Sequence, residues 1–188
     1  MEDKAIIEAV TQSLKNRTTK ITDSHLNRYD QLRNQLQHVD VGDDARFQST
    51  FSGLFQLRWM PRQHRLIYFA MMQQQKMIVP GHSFRDLLEA YHAKTGRWEV
   101  SFISKLIAII DPNRSIWDNL VSTRLGISLP VVRNLEICVV RYEALENRMK
   151  GLIENKNFTC VVDAFGKRFP DRDYTNMRIL DATIWGLG

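Results

Sequence analysis

From Arg97 to Ile127 the chain reads RWEVSFISKLIAIIDPNRSIWDNLVSTRLGI. Ile103, Leu106, Ile107 and Ile110 recur three and four residues apart, which is the spacing of one helix face. The residues around them are so apolar that this helix is expected to be buried. Asp111-Pro112 closes it, because the residue before a proline avoids the α region. A short connector, Asn113 to Trp117, leads to Asp118, a residue suited to cap a helix N-terminus. A second helix then runs to Gly126. A buried helix, a connector and an acid at the head of the next helix set the fold class.

The same helical period extends in both directions. Ile6, Ile7, Val10 and Leu14 form a short amphipathic stripe, followed by a polar link from Asn16 to Lys20. Leu26, Tyr29, Leu32, Leu36 and Val39 mark a second helix, broken at Val41-Gly42-Asp43. Phe47, Phe51, Leu54 and Phe55 mark a third, which stops before Pro61. Arg62 to Gln75 predicts a fourth, with Leu66, Ile67 and Ala70 inward, and Val79-Pro80-Gly81 turns the chain. Ser83 with Asp86 has the form of a capping box opening a helix that carries Phe84, Leu87, Leu88 and Tyr91 and ends at Thr95-Gly96. Pro130 suits the first position of a long helix burying Val131, Leu135, Cys138, Val139 and Tyr142. Two more helices are expected around Phe158 to Phe165 and Thr175 to Trp185. The expectation is an all-α chain of roughly nine or ten helices. Residues 21–188 form one compact domain and residues 1–20 an N-terminal helix or arm.

Composition narrows the function classes. The chain has 188 residues, 44% of them hydrophobic and 25% charged, with 9 Gly and 5 Pro, which suits one globular domain and argues against disorder. No apolar run reaches the ~18 residues of a membrane helix, and the N-terminus has no apolar signal core, so a cytoplasmic protein without a membrane partner is expected. Cys138 and Cys160 sit in apolar stretches and read as buried thiols, not as a disulfide framework. No glycine-rich phosphate loop, His-Glu-x-x-His or Cys-x-x-Cys occurs, so neither a nucleotide cofactor nor a metal is implied. The five histidines lack metal-ligand spacing. A formal net charge of +5 favours an anionic partner such as nucleic acid, although plain solubilising surface carries the same charge.

The run Ile116-Trp117-Asp118-Asn119-Leu120-Val121-Ser122-Thr123-Arg124-Leu125-Gly126 resembles the centre of the helix–hairpin–helix (HhH-GPD) DNA glycosylase superfamily. There, an apolar helix, a connector and an Asp precede a helix ending in Arg-Leu-Gly. The chain resembles more closely bacterial proteins with the 8-oxoguanine DNA glycosylase fold. The residues that carry this likeness are Ser101-Phe102-Ile103-Ser104-Lys105-Leu106, Asp111-Pro112-Asn113 and Ile116-Trp117-Asp118. Trp59 with Arg62, and Leu180, Asp181 and Trp185, are further matches. The resemblance implies an HhH-GPD-like helical fold and a monomer acting on double-stranded DNA. It implies flipping and excision of a modified or damaged base by N-glycosidic hydrolysis, leaving an abasic site. The substrate would be a housekeeping lesion or a hypermodified base of phage DNA.

That chemistry assigns roles. Bond breaking builds positive charge on the sugar, which a fixed carboxylate stabilises; Asp118 matches the superfamily's Asp, and an N-cap alone also accounts for it. Bifunctional members attack the sugar with a lysine placed at the start of the preceding helix. That place falls here near Ser101 or Phe102, so a monofunctional enzyme using water is expected; Lys105, about one turn later, either reaches the site as a nucleophile or pairs with an acid or a phosphate. The hairpin that grips a phosphate in the superfamily reads Thr95-Gly96-Arg97-Trp98-Glu99 here, with Arg97 as a phosphate contact. Arg58, Arg62, Arg114 and Arg124 are further DNA-binding candidates. Trp59, Trp98 and Trp117 are candidates for stacking on a flipped base, each with a core position as the plainer account. Trp185 reads as structural, and Lys167, Arg168 and Arg172 as solvated surface. Two rivals of other classes are a non-catalytic DNA-binding module of the same fold and a defence-associated protein-interaction scaffold.

Overall fold

The computed structural model describes residues 2–78, 81 and 83–187; the side chain of Arg58 and most of the expected turn at Val79-Pro80-Gly81 lie outside the described residues. Among them are ten α-helices and no strand. They are α1 (Asp3–Lys15), α2 (Asp23–His38), α3 (Ala45–Leu54), α4 (Arg62–Lys76), α5 (Phe84–Thr95), α6 (Val100–Ile110), α7 (Asn119–Arg124), α8 (Leu135–Glu154), α9 (Thr159–Arg168) and α10 (Asn176–Trp185). A 3-10 turn, Leu57–Trp59, joins α3 to α4.

Local chemistry explains most boundaries. Thr22, Asp44, Ser83, Asp118, Asn134 and Thr175 each accept a backbone N–H from the first turn of the helix they precede. At Ser83 the full capping box forms with Asp86. Gly96 ends α5 in the left-handed conformation, φ +70°, where a side chain is strained, and only four residues join α5 to α6.

Helix α6 lies at the centre. Ile103, Leu106 and Ile109 are fully buried, and Val100, Ile107 and Ala108 nearly so. A helix apolar on nearly all sides must be surrounded, and α6 therefore carries Lys105 into the interior with it. Arg33 of α2 donates from Nη1 to the carbonyls of Ile109 and Ile110 at 2.6 and 3.0 Å, placing a cation on the C-terminal carbonyls of α6. Helix α1 buries Ile6, Ile7, Val10 and Leu14 in the same core and packs against α9.

Four local expectations are corrected. Leu66 and Ala70 face outward on α4, where Tyr68, Phe69 and Met72 are the buried face; an aromatic pair buries more area than the competing aliphatic stripe. Pro130 does not open α8: Asn134 caps it, accepting Ile137 N–H at 2.9 Å, and Val131 is 98% exposed in the segment before it. Cys160 is exposed, whereas Cys138 is buried as expected. Arg172 is no solvated charge, because it ties α2 to the segment before α10 through Asp30 and Asn27.

Candidate active site

The 111–118 connector is pinned from three sides. Ser104 Oγ of α6 accepts Trp117 N–H at 2.8 Å. Thr175, the cap of α10, donates to Pro112 O at 2.7 Å. Glu146 of α8 accepts Arg114 Nε at 2.7 Å and Tyr142 Oη at 3.2 Å, and Tyr142 Oη also lies 3.0 Å from Ser115 O. These bonds fix Asp118 at the head of α7. Its Oδ1 accepts Leu120 N–H at 2.8 Å, and the side chain is half-buried.

Asp118 and Lys105, far apart along the helices, meet at the wall of one cavity of about 200 Å³. That is below the roughly 300–1,000 Å³ of sites for drug-sized ligands, and suits a single ring system. Its floor is α10, with Arg178, Asp181 and Trp185; α2 contributes His25 and Arg28, and the end of α3 contributes Phe55 and Gln56. His25 and Trp185 meet edge to face with centroids 5.4 Å apart, forming an aromatic wall.

The charges are placed unusually for a protein interior. Lys105 is 8% exposed and donates from Nζ to Phe55 O at 3.2 Å. Burial pulls its amine below the ordinary lysine range, against the opposing pull of Asp118, Asp181 and Glu99. Asp181 is 5% exposed. Its Oδ2 accepts from Arg178 Nη1, while Oδ1 has no hydrogen-bond partner. Burial pushes its carboxyl up to about 6; Arg178 and Lys105 oppose this and Asp118 adds to it. Arg178 stacks 4.2 Å from the centroid of the Tyr29 ring.

The other candidates fall into distinct places. Trp117 is 1% exposed and belongs to the core, so it offers no stacking face; Trp185, taken from sequence as structural, provides the cavity's indole wall. Trp98 is half-buried and stacks on His92 at 3.6 Å, away from the cavity lining. Trp59 is 83% exposed on the 3-10 turn. Arg114 holds the connector through Glu146, and Arg124 donates to the carbonyls of Ile184, Trp185 and Leu187 at the end of α10, so both act inside the fold. Arg97 is exposed, 3.6 Å from Glu99. Arg62 lines a second, shallower groove with Arg65 and Ser49, and this groove shares Gly53 and Gln56 with the cavity. Gln56, at the shared rim, holds a left-handed conformation, φ +56°, that is uncommon for a residue with a side chain.

Sequence reasoning missed His25, Arg28 and Arg178, and met Asp181 only as part of a resemblance. One signal was present. Met177, Leu180, Asp181 and Ile184 share one helix face, so an acid occupies a core position in an apolar stripe.

Among the described residues no group of three or more His, Cys, Asp or Glu could hold a metal ion, and no helix is long and apolar enough to cross a membrane. No protein-family model, curated protein or solved structure matches this chain.

Proposed function

We propose that the chain is a DNA glycosylase-like enzyme that excises a modified or damaged base flipped into the Lys105–Asp118 cavity. The observation that carries this is the meeting of a buried, charge-disfavoured lysine and a fixed carboxylate in a concave space of single-base size. A base inside a duplex is out of reach, so the nucleotide must leave the stack to enter. Cleavage of the glycosidic bond leaves positive charge on the sugar, and the Asp118 carboxylate stabilises it. Lys105, with its amine shifted toward the neutral form, supplies the lone pair that bonds to C1′. The His25–Trp185 wall provides an aromatic surface for the base, and the Arg62–Arg65 groove a path for phosphates.

The lysine route departs from the hydrolytic reading of the sequence, and one assay separates the two. Wild-type protein is incubated with duplexes carrying 8-oxoguanine, hypoxanthine, uracil or 7-methylguanine, and with DNA from phages that hypermodify their bases. Abasic sites are read by alkaline cleavage, and covalent adducts by borohydride trapping. Base release with a trapped adduct that Lys105→Ala abolishes is the expected result. Release without an adduct assigns the attack to water beside Asp118. Asp118→Asn keeps the helix cap, since Asn caps as well as Asp, and is expected to lose release while folding normally. No release from any of these DNAs by the wild type overturns the proposal.

A further inference from the structure

Resting on that reading, we propose that Asp181 is the acid that protonates the departing base, so the enzyme's substrates are neutral bases presenting an acceptor nitrogen or carbonyl oxygen toward α10. Three observations carry it. Asp181 lines the same cavity as Lys105 and Asp118. It is more than nine-tenths buried, and its Oδ1 has no hydrogen-bond partner although the opposite oxygen is held by Arg178. A buried polar oxygen without a partner is costly unless something fills that role. Asp181 lines the ligand cavity, and Oδ1 gains such a partner once an acceptor atom reaches it there.

The two carboxyls of the cavity differ in enclosure and in hydrogen bonding. Asp118 is half-buried, and its Oδ1 accepts a backbone N–H from Leu120. Asp181 is enclosed, and burial favours its protonated form. Burial disfavours the charged form of Lys105 as well, so the same enclosure shifts both groups toward the forms that the step uses.

The step balances. The lone pair of Lys105 forms a bond to C1′. The C1′–N bond breaks, and its electron pair leaves with the base. The proton of Asp181 passes to the acceptor atom of the base, which departs neutral. Asp181 is left as a carboxylate beside the Arg178 guanidinium, which is already in place to receive that charge. The groups that bear on Asp181 are Arg178 on its own helix, Lys105 on α6, Asp118 at the head of α7 and Tyr29 on α2; His25 and Arg28 of α2 line the same cavity.

The test is the pH dependence of single-turnover base release from the duplex found active above, for wild type and Asp181→Asn. The wild-type rate divided by the variant rate is expected to fall as pH rises from 6 to 9, because the proton donor is lost while the growing supply of neutral Lys105 is common to both proteins and cancels. Asp181→Asn should release base roughly 10²–10⁴-fold more slowly at pH 6, while binding a duplex with a tetrahydrofuran abasic analogue at least as tightly as wild type does. A variant within about threefold of wild type overturns the proposal. So does a slow variant whose rate stays in constant ratio to wild type from pH 6 to 9, since that marks a structural role. If Asp181→Asn does not fold, the same ratio is read with Asp181→Ser, and a wild-type-to-variant ratio that stays constant from pH 6 to 9 refutes the assignment. Failure of the underlying glycosylase reading is distinguished by its own result, no release at any pH.

Discussion

Replacing Asp181 by Asn is expected to make this protein more stable at neutral pH. The Asn side chain has nearly the shape of a protonated carboxyl, so the variant behaves as wild type with Asp181 held neutral. In the folded protein Asp181 titrates at about 6, against an ordinary 3.8. Folding therefore favours the protonated form, and the stability this supplies is complete below about pH 4 and lost as pH rises through about 6. At 1.36 kcal/mol for each pH unit, the gap is about 3 kcal/mol. The wild type should thus be about 3 kcal/mol less stable than Asp181→Asn at pH 7.5, and within about 1 kcal/mol of it at pH 4. For a chain of this length the difference at pH 7.5 amounts to roughly 6–12 °C in Tm. Urea unfolding of both proteins at both pH values measures it, with unchanged m-values required. A difference that does not change with pH, or a variant less stable than wild type at pH 7.5, refutes the argument. The expected pairing of greater stability with lost base release is the usual mark of a strained functional site.

Other expectations follow from the same contacts. Ser104→Ala leaves the buried Trp117 N–H without its acceptor and should cost about 1–3 kcal/mol in urea unfolding; because that bond places Asp118, base release should fall while duplex binding holds. Trp117→Ala should cost about 3–5 kcal/mol, as large truncations in cores do, and Trp59→Ala much less, since its ring is on the surface. Arg62→Ala and Arg65→Ala should each weaken duplex binding and reduce the slope of log K against log salt by about 1 if each holds a phosphate. Arg114→Ala should instead destabilise the fold without changing that slope, because its guanidinium is held by Glu146.

Some of this was legible in the sequence because it is local. The Asp118 cap, the Ser83–Asp86 box and the Gly96 stop each depend on residues within one turn of one another. The burial of Lys105 follows from the apolar run on both sides of it. The rest depends on direction, which spacing does not supply. Arg114 and Arg124 flank Asp118 in sequence and were read as phosphate contacts, yet Arg114 turns toward α8 and Arg124 toward the end of α10. The inward face of α4 had two competing stripes, and the aromatic one is buried. The cavity draws on α2, α3, α6, α10 and the connector, and only tertiary packing brings Asp181 to Lys105.

The charge balance of the cavity links binding to chemistry. With Asp181 protonated, Lys105, Arg178 and Arg28 when charged outweigh Asp118; with Asp181 ionised, that excess is smaller. If the proposed function holds, docked DNA brings phosphates to the rim and expels water from the interior. Both changes disfavour a carboxylate at Asp181, one by like charge and the other by desolvation. Binding should therefore raise the Asp181 titration further and load the proton that the departing base needs. The observable is proton uptake. Calorimetric titration of a tetrahydrofuran-containing duplex into wild type at pH 6.5, repeated in buffers of different ionisation enthalpy, should show net proton uptake on binding. Lys105 contributes to uptake in the same direction, because nearby phosphates favour its charged form, so the decisive quantity is the difference between wild type and Asp181→Asn. A difference approaching about three-quarters of a proton at low salt, the most that a group titrating at about 6 can take up at pH 6.5, and shrinking as salt screens the phosphates, fits the coupling. Equal uptake by the two proteins means that Asp181 does not take up the proton on binding, and the acid would then have to be protonated before the DNA arrives.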